Sequence, residues 1–156
     1  MNIKLVRATV DDAELIWKMQ IEAFAELLEK YQDYDTNPGS EPIEKVIMRL
    51  KQPFTYYYLM FVNEDIVGAI RVVDKKENSV NKRISPIFII PKHRNKGIAQ
   101  LAISEVERIH GEDGWELDTI LQEKGNCYLY EKMGYRTTGK TEIINDKLTL
   151  VFYEKK

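Results

Sequence analysis

The side chains best placed to do chemistry gather at one junction of the chain. An apolar run, Ile87-Phe88-Ile89-Ile90, leads into Pro91-Lys92-His93-Arg94-Asn95-Lys96-Gly97, and a helical pattern opens at Ile98. A strand that enters a helix through a glycine-bearing turn leaves the first helical N–H groups without partners. Those groups and the helix dipole together attract an anion. Gly97 removes the Cβ that would hold a ligand off the backbone, and Lys92, His93, Arg94 and Lys96 add positive charge beside it. The chemistry this predicts is an anion site, suited to a pyrophosphate. The segment is not a P-loop, because Gly-x-x-x-x-Gly-Lys-Ser/Thr is absent, nor a dinucleotide fingerprint, because only Gly97 of the three glycines is present. Taken alone, the basic cluster reads as a solvated turn, since charge runs are usually surface.

The flanking elements must hold this turn in place. Alternation over Ile3–Arg7 predicts a short strand. Thr9 and Asp12 form a capping box with Asp in place of Glu, and Ala13, Ile16, Trp17, Ile21, Phe24 and Leu28 follow at helical spacing. Residues 31–40 read as a loop. Ser40 then caps a second helix with Pro42 in its first turn and Ile43, Val46, Ile47 and Leu50 as its stripe. Residues 56–62 and 66–74 read as a hairpin turned at Asn63-Glu64-Asp65, with Gly68 marking a bulge. Residues 83–90 form a strand so apolar that both faces should be buried, with Pro86 at its start or at a bulge. A helix from Ile98 to Ile109 stops at Gly111, a strand spans 115–121, a short helix spans 126–133, and residues 135–144 and 147–153 make a last hairpin. The order is strand, two helices, three strands, helix, strand, helix, two strands: a mixed α/β sheet with helices on both faces.

Length and charge remove whole classes of function. A chain of 156 residues suits one domain, here 1–156. With 23 Lys and Arg against 25 Asp and Glu it lacks the basic excess of a nucleic-acid binder. The lone Cys127 excludes an internal disulfide and a Cys-rich zinc site, and two histidines show no metal-ligand spacing, so no metal is expected. No signal peptide and no apolar run long enough to span a membrane are visible, and a cytoplasmic location is expected.

Arg94-Asn95-Lys96-Gly97-Ile98-Ala99 resembles the acyl-CoA signature of the GNAT family of N-acetyltransferases, Arg/Gln-x-x-Gly-x-Gly/Ala. Leu129-Tyr130-Glu131-Lys132-Met133-Gly134-Tyr135 is similar to the family's Leu-Tyr-Glu-Lys-Leu-Gly-Phe. The two motifs stand in the family's order and separation. The resemblance implies the acyl-CoA N-acyltransferase fold, a mostly antiparallel central sheet of about seven strands flanked by four helices. It also implies acetyl-CoA as acyl donor.

Carried over residue by residue, the resemblance puts the CoA pyrophosphate on the amides of Arg94, Asn95, Lys96, Gly97, Ile98 and Ala99. It puts pantetheine along Ile87 and Ile89, on a strand splayed from its neighbour. Tyr130 takes the place of the general acid that protonates the leaving thiolate. A tyrosine is more often a packing residue, and the chain has nine; the motif selects Tyr130 and leaves Tyr128 and Tyr135 to packing. Where the family often has Asn seven residues before this Tyr and Ala four before, this chain has Glu123 and Asn126. Asn126 suits equally an N-cap and a CoA contact. Glu116, Asp118 and Glu123 are open alternatives for a general base and also read as ordinary surface carboxylates.

In the family the acceptor pocket is shaped by the first two helices, their loop and the late hairpin. Here Glu22, Glu26, Glu29 and Tyr31 lie in that region. Acidic and aromatic groups suit a cationic amine, and a solvated acidic helix face fits the same spacing. The expected activity is transfer of an acetyl group to a primary amine of a small molecule. The alternatives are a protein Lys or N-terminus, or a non-catalytic CoA-binding sensor. Neither nucleic acid nor membrane is an expected partner, and an exposed last strand suits a homodimer.

Overall fold

The computed structural model describes residues 2–156. Strand β1 (Ile3–Arg7) passes through a 3-10 turn at Val10–Asp12 into helix α1 (Ala13–Tyr31). Thr9 N–H donates to Asp12 Oδ2 at 2.9 Å in that turn. Helix α1 buries Ile16, Met19, Gln20 and Ala23 and stops at Gln32, whose left-handed backbone (φ 54°) returns its N–H to Leu28 O. Helix α2 (Ile43–Lys51) starts later than Ser40 suggested: Ser40 closes a separate 3-10 turn, Pro38–Ser40, and Pro42 is the N-cap. The reason is local, since a residue before proline is pushed out of the helical region, and Glu41 is extended with ψ 141°.

Strands β2 (Thr55–Val62) and β3 (Asp65–Val73) form the expected hairpin, followed by β4 (Lys82–Ile89), helix α3 (Ile98–His110), β5 (Trp115–Ile120), helix α4 (Lys124–Lys132), β6 (Arg136–Ile143) and β7 (Thr149–Lys155). The register slips between Met60 and Phe61, so Val67 bulges beside Gly68. A Cβ on Gly68 would stand 2.1 Å from Phe88 O, so glycine alone lets β3 lie against β4.

The seven strands form one sheet in the order β1-β2-β3-β4-β5-β7-β6. Neighbours are antiparallel except β4 and β5, which are parallel and paired only at Lys82↔Trp115 and Arg83↔Glu116. The last strand, β7, is therefore interior, contrary to the expectation that its edge could serve a homodimer; the edge strands are β1 and, on this side, β6, whose eight residues are all exposed. Two residues of β6 too many stand opposite Phe152 between Thr137 and Thr141, with Gly139 at φ 88°.

Strand β4 is not buried on both faces. Ile84, Pro86 and Phe88 are buried, and Ile87 and Ile89 are half-buried. Pro86 lies where the β3–β4 register shifts, as a residue without a ladder donor must. One core, including Val46, Tyr57 and Phe88, lies under α1 and α2; the other, including Val106, Trp115, Leu117 and Tyr153, lies under α3 and α4.

At the end of α3, His110 is buried between strands. Its Nδ1 lies 2.9 Å from Asp74 Oδ2, and its Nε2 lies 2.8 Å from Tyr58 Oη. The carboxylate takes Nδ1–H, so Nε2 accepts from the Tyr58 hydroxyl. Burial lowers the His110 pKa from 6.5, against the pull of Asp74. The unfolded chain thus binds the extra proton more readily, and stability is complete above the unfolded pKa and falls as pH drops through it toward the folded one. Urea midpoints should decline from about pH 7.5 to about pH 5, and His110→Phe should flatten that part of the profile. An unaltered slope in the variant would show that His110 is not its source.

Candidate active site

The turn between β4 and α3 is built to leave amides free. His93 N–H returns to Ile90 O at 3.0 Å and Arg94 N–H to Pro91 O at 3.2 Å. The next backbone donor with a partner is Leu101, bonded to Gly97 O at 3.2 Å. Among the described residues, the N–H groups of 95–100 have no acceptor in the chain. Asn95 (φ 62°) and Gly97 (φ 77°) both take left-handed backbone, which curls these donors toward one concavity. A Cβ on Gly97 would meet nothing within 4 Å. Free donors at a helix N-terminus with open space before them fit a pyrophosphate.

Arg94 does something different with its side chain. Its Nε donates to Ile89 O at 3.1 Å, an Nη donates to Ala23 O, and the other Nη lies 3.9 Å from Glu26. The guanidinium fastens the turn to the end of β4 and to the middle of α1. Its backbone belongs to the turn, but its charge is largely engaged inside the protein.

A cleft of about 690 Å³ opens where β4 parts from β5, with α1, α3 and α4 around it. Ile87, Ile89, Arg94, Asn95, Gly97, Ile98, Ala99, Asn126, Tyr130 and Glu26 all line it. Lys96 is exposed at the turn and is not on the wall, and Glu22 is exposed on α1 away from it. Asn126 is the third residue of α4, and Glu123 precedes the helix, so the N-cap reading of Asn126 is corrected. Its place on the wall follows from α4 starting earlier than Asn126. Sequence reasoning missed the α1 wall of Ala23, Phe24 and Leu27. The available signal was that Ala23 and Leu27 widen the apolar stripe of α1 on either side of Phe24.

Tyr31 is 4% exposed and its hydroxyl donates to Glu123 Oε2 at 2.5 Å; Lys30 Nζ lies 2.9 Å from the same oxygen. Asn145 Nδ2 donates to Tyr31 O at 3.0 Å. The end of α1 is thereby latched to the β5–α4 turn and to the β6–β7 turn. The Tyr31 hydrogen bond, with Lys30, holds the Glu123 carboxyl below its ordinary range. Glu123 is a fixed anion and a poor base.

Tyr130 lies on the inner face of α4, 7% exposed. Burial pushes its phenol up to about 12, and the negative charge of Asp118 adds to the shift. The phenol is a donor at any neutral pH. Asp118 is on β5, two residues past the last β4–β5 pair, and is ion-paired with Arg83 of β4 across the opening.

A family model described as an acetyltransferase (GNAT) domain matches residues 24–156. The chain belongs to the GNAT acetyltransferase family. GNAT enzymes use acetyl-CoA as co-substrate, which agrees with the free amides of the turn. No curated protein sequence matches the chain significantly. Similar solved structures include spermidine N-acetyltransferase from Vibrio cholerae in complex with CoA and spermine, with TM-score 0.74, 14% identity, and 97% of this chain and 93% of that one covered. The ribosomal-protein-S18-alanine N-acetyltransferase from Escherichia coli aligns with TM-score 0.74 at 7% identity over 97% of this chain and 92% of that one. The PaiA N-acetyltransferase from Thermoplasma acidophilum in complex with coenzyme A aligns with TM-score 0.68 at 14% identity over 100% of both chains. At these identities the likeness shows the fold. No helix among the described residues is long and apolar enough to cross a membrane.

Gly97→Glu would force a β-carbon onto left-handed backbone and aim a carboxylate at the free amides. Calorimetric titration with CoA should show at least about a tenfold loss of affinity, equivalent to 1.4 kcal/mol. Binding of wild-type strength would remove the turn as the anion site.

Proposed function

We propose that this GNAT domain, residues 1–156, is an active enzyme that transfers the acetyl group of acetyl-CoA to a primary amine by direct attack on the thioester. The observation that carries the reading is the opening between β4 and β5: it exposes Ile87 and Ile89 on one wall, leads to the free amides at 95–100, and has Tyr130 on the opposite wall. Pantetheine would pair with the β4 backbone that β5 leaves unpaired, and the pyrophosphate would sit on the turn. Lys96, at the turn but off the wall, would contribute through its backbone.

The proton balance sets what Tyr130 does. The attacking amine must be neutral and loses one proton as the amide forms, while one proton reaches the departing sulfur. Tyr130 donates to the sulfur as charge develops on it. A thiol near 8.5 is a stronger acid than this phenol. Tyr130 therefore acts first as a hydrogen-bond donor to the thiolate, and passes its proton to sulfur as water in the cleft returns the one the amine has lost. Asp118 is ion-paired with Arg83 and Glu123 with Lys30, and Glu116 does not line the cleft, so none of the three is a ready base. The amine's proton therefore leaves to water in the cleft.

The small cationic amine expected from the sequence has weaker support as acceptor. Glu22 points away from the cleft, Glu26 is beside Arg94, and Tyr31 is used up on Glu123. These three do not form a common amine pocket.

Tyr130→Phe should lower kcat by about 10²-fold or more and leave acetyl-CoA binding near wild type, read by steady-state kinetics and titration. An unchanged kcat would remove Tyr130 as the acid. Acetyl-CoA binding without turnover of any amine would favour the non-catalytic sensor.

A further inference from the structure

Tyr130 has two aromatic neighbours, and each is tied down by its hydroxyl. Its ring centroid lies 6.2 Å from that of Tyr135, edge to face at 65°, and 6.2 Å from that of Tyr153, tilted at 52°. All three rings are buried in the core under α3 and α4. The Tyr135 hydroxyl donates to Glu107 Oε2 of α3 at 2.8 Å, and the Tyr153 hydroxyl donates to Glu131 Oε2 of α4 at 2.7 Å. The Tyr130 hydroxyl has no hydrogen-bond partner among the described residues, and Tyr130 lines the cleft.

The first neighbour is set by the local chain. Helix α4 ends where Gly134 takes φ 95°. Gly134 N–H returns to Glu131 O at 3.1 Å, and Tyr135 N–H returns to Tyr130 O at 3.0 Å. This pair of bonds closes a helix C-terminus and lays the residue after the glycine against the one five positions earlier. The backbone therefore brings Tyr135 to Tyr130. The second neighbour comes from β7. Tyr153 and Lys155 are two apart on that strand and share a face. Tyr153 reaches Glu131, the residue after Tyr130, and Lys155 Nζ reaches Glu107 Oε1 at 3.0 Å. Strand β7 thus grips both α3 and α4 beside Tyr130.

We infer that Tyr153 is a positioning residue for acetyl transfer: its hydroxyl, held on Glu131, fixes its ring against Tyr130 and, together with Tyr135, keeps the one unpartnered phenol of the three directed at the cleft. The inference rests on the reading of Tyr130 as the acid. A phenol swings about two side-chain bonds, yet a proton donor must stay within hydrogen-bond reach of the sulfur. A misplacement of about 1 Å can cost about 10² in rate. Filling the core does not call for the Tyr153 hydroxyl, because a phenylalanine ring would do so without burying a polar group. What the hydroxyl adds is direction: it allows the ring one placement and links β7 to the residue beside Tyr130. Glu131 is otherwise exposed, so its own burial does not demand the bond.

The test uses the full chain, acetyl-CoA and, as acceptor, whichever of spermidine and an octapeptide with a free N-terminus turns over faster. Tyr153→Phe keeps the ring and should lower kcat by about tenfold while the KM for acetyl-CoA stays within about twofold. In a Tyr130→Phe background the same substitution should cost nothing further, since no hydroxyl is left to direct. Glu131→Ala should match Tyr153→Phe, and Glu131→Gln, whose amide oxygen still accepts, should lose less. An equal loss in both backgrounds, or no loss in either, would overturn the inference and leave Tyr130 as the acid. An unchanged kcat in Tyr130→Phe alone would remove the acid and the inference with it. A second readout needs no acceptor: NMR of the CoA-bound chain carrying isotope-labelled tyrosine, with the Tyr130 signals assigned by their loss in Tyr130→Phe. The Tyr130 ring should flip faster in Tyr153→Phe than in the wild type. Equal flip rates would overturn the inference even if neither amine is turned over.

Discussion

The separation of β4 from β5 is the constraint on which the rest depends. Two interior strands paired at only two positions leave a row of backbone donors and acceptors that the fold itself does not satisfy. Buried backbone groups must find partners, so a sheet opened in its middle is stable only around a cleft that water or a ligand fills. The bulge at Pro86 bends β4 just beyond its last partner on β5, and the helices then occupy the two sides of the gap. Helix α4 packs on β5, which brings the Asp118 charge to bear on the Tyr130 phenol.

Holding such a gap open requires struts. The Arg94 guanidinium ties the anion-binding turn to α1, and the Tyr31–Glu123–Lys30 group ties the other end of α1 to the start of α4. Both struts use charge-assisted bonds between elements far apart in sequence. Each satisfies its polar groups within the protein, so neither leaves a free charge to compete for the ligand. The helix bearing Tyr130 thus starts from a fixed point, and the turn that would carry the phosphates is fixed to the same helix, α1.

The turn and the helix of Tyr130 were legible because each is local. A strand, a glycine and a helix start within a dozen residues, and 129–135 forms a contiguous motif. The element order was legible for the same reason: alternation and helical spacing are short-range signals. What could not be read is the meeting of distant residues. Tyr31 looked like a free aromatic near acidic groups, yet its partner is ninety-two positions away. Asn126 looked like a cap because the helix start was placed two residues late. Strand β7 looked like an edge because hairpin order does not reveal that β5 pairs with the last strand and not with β6.

The irregular middle of β6 has a consequence for how the molecule meets its own copies. An exposed edge strand is a template on which another chain can add. Here the template is broken: the surplus residues around Gly139 put the strand's hydrogen-bonding groups out of step between Thr137 and Thr141. A regular strand from a neighbouring molecule can match one half of β6 or the other, never both. The edge can therefore stay bare in a crowded solution without seeding sheet-to-sheet growth.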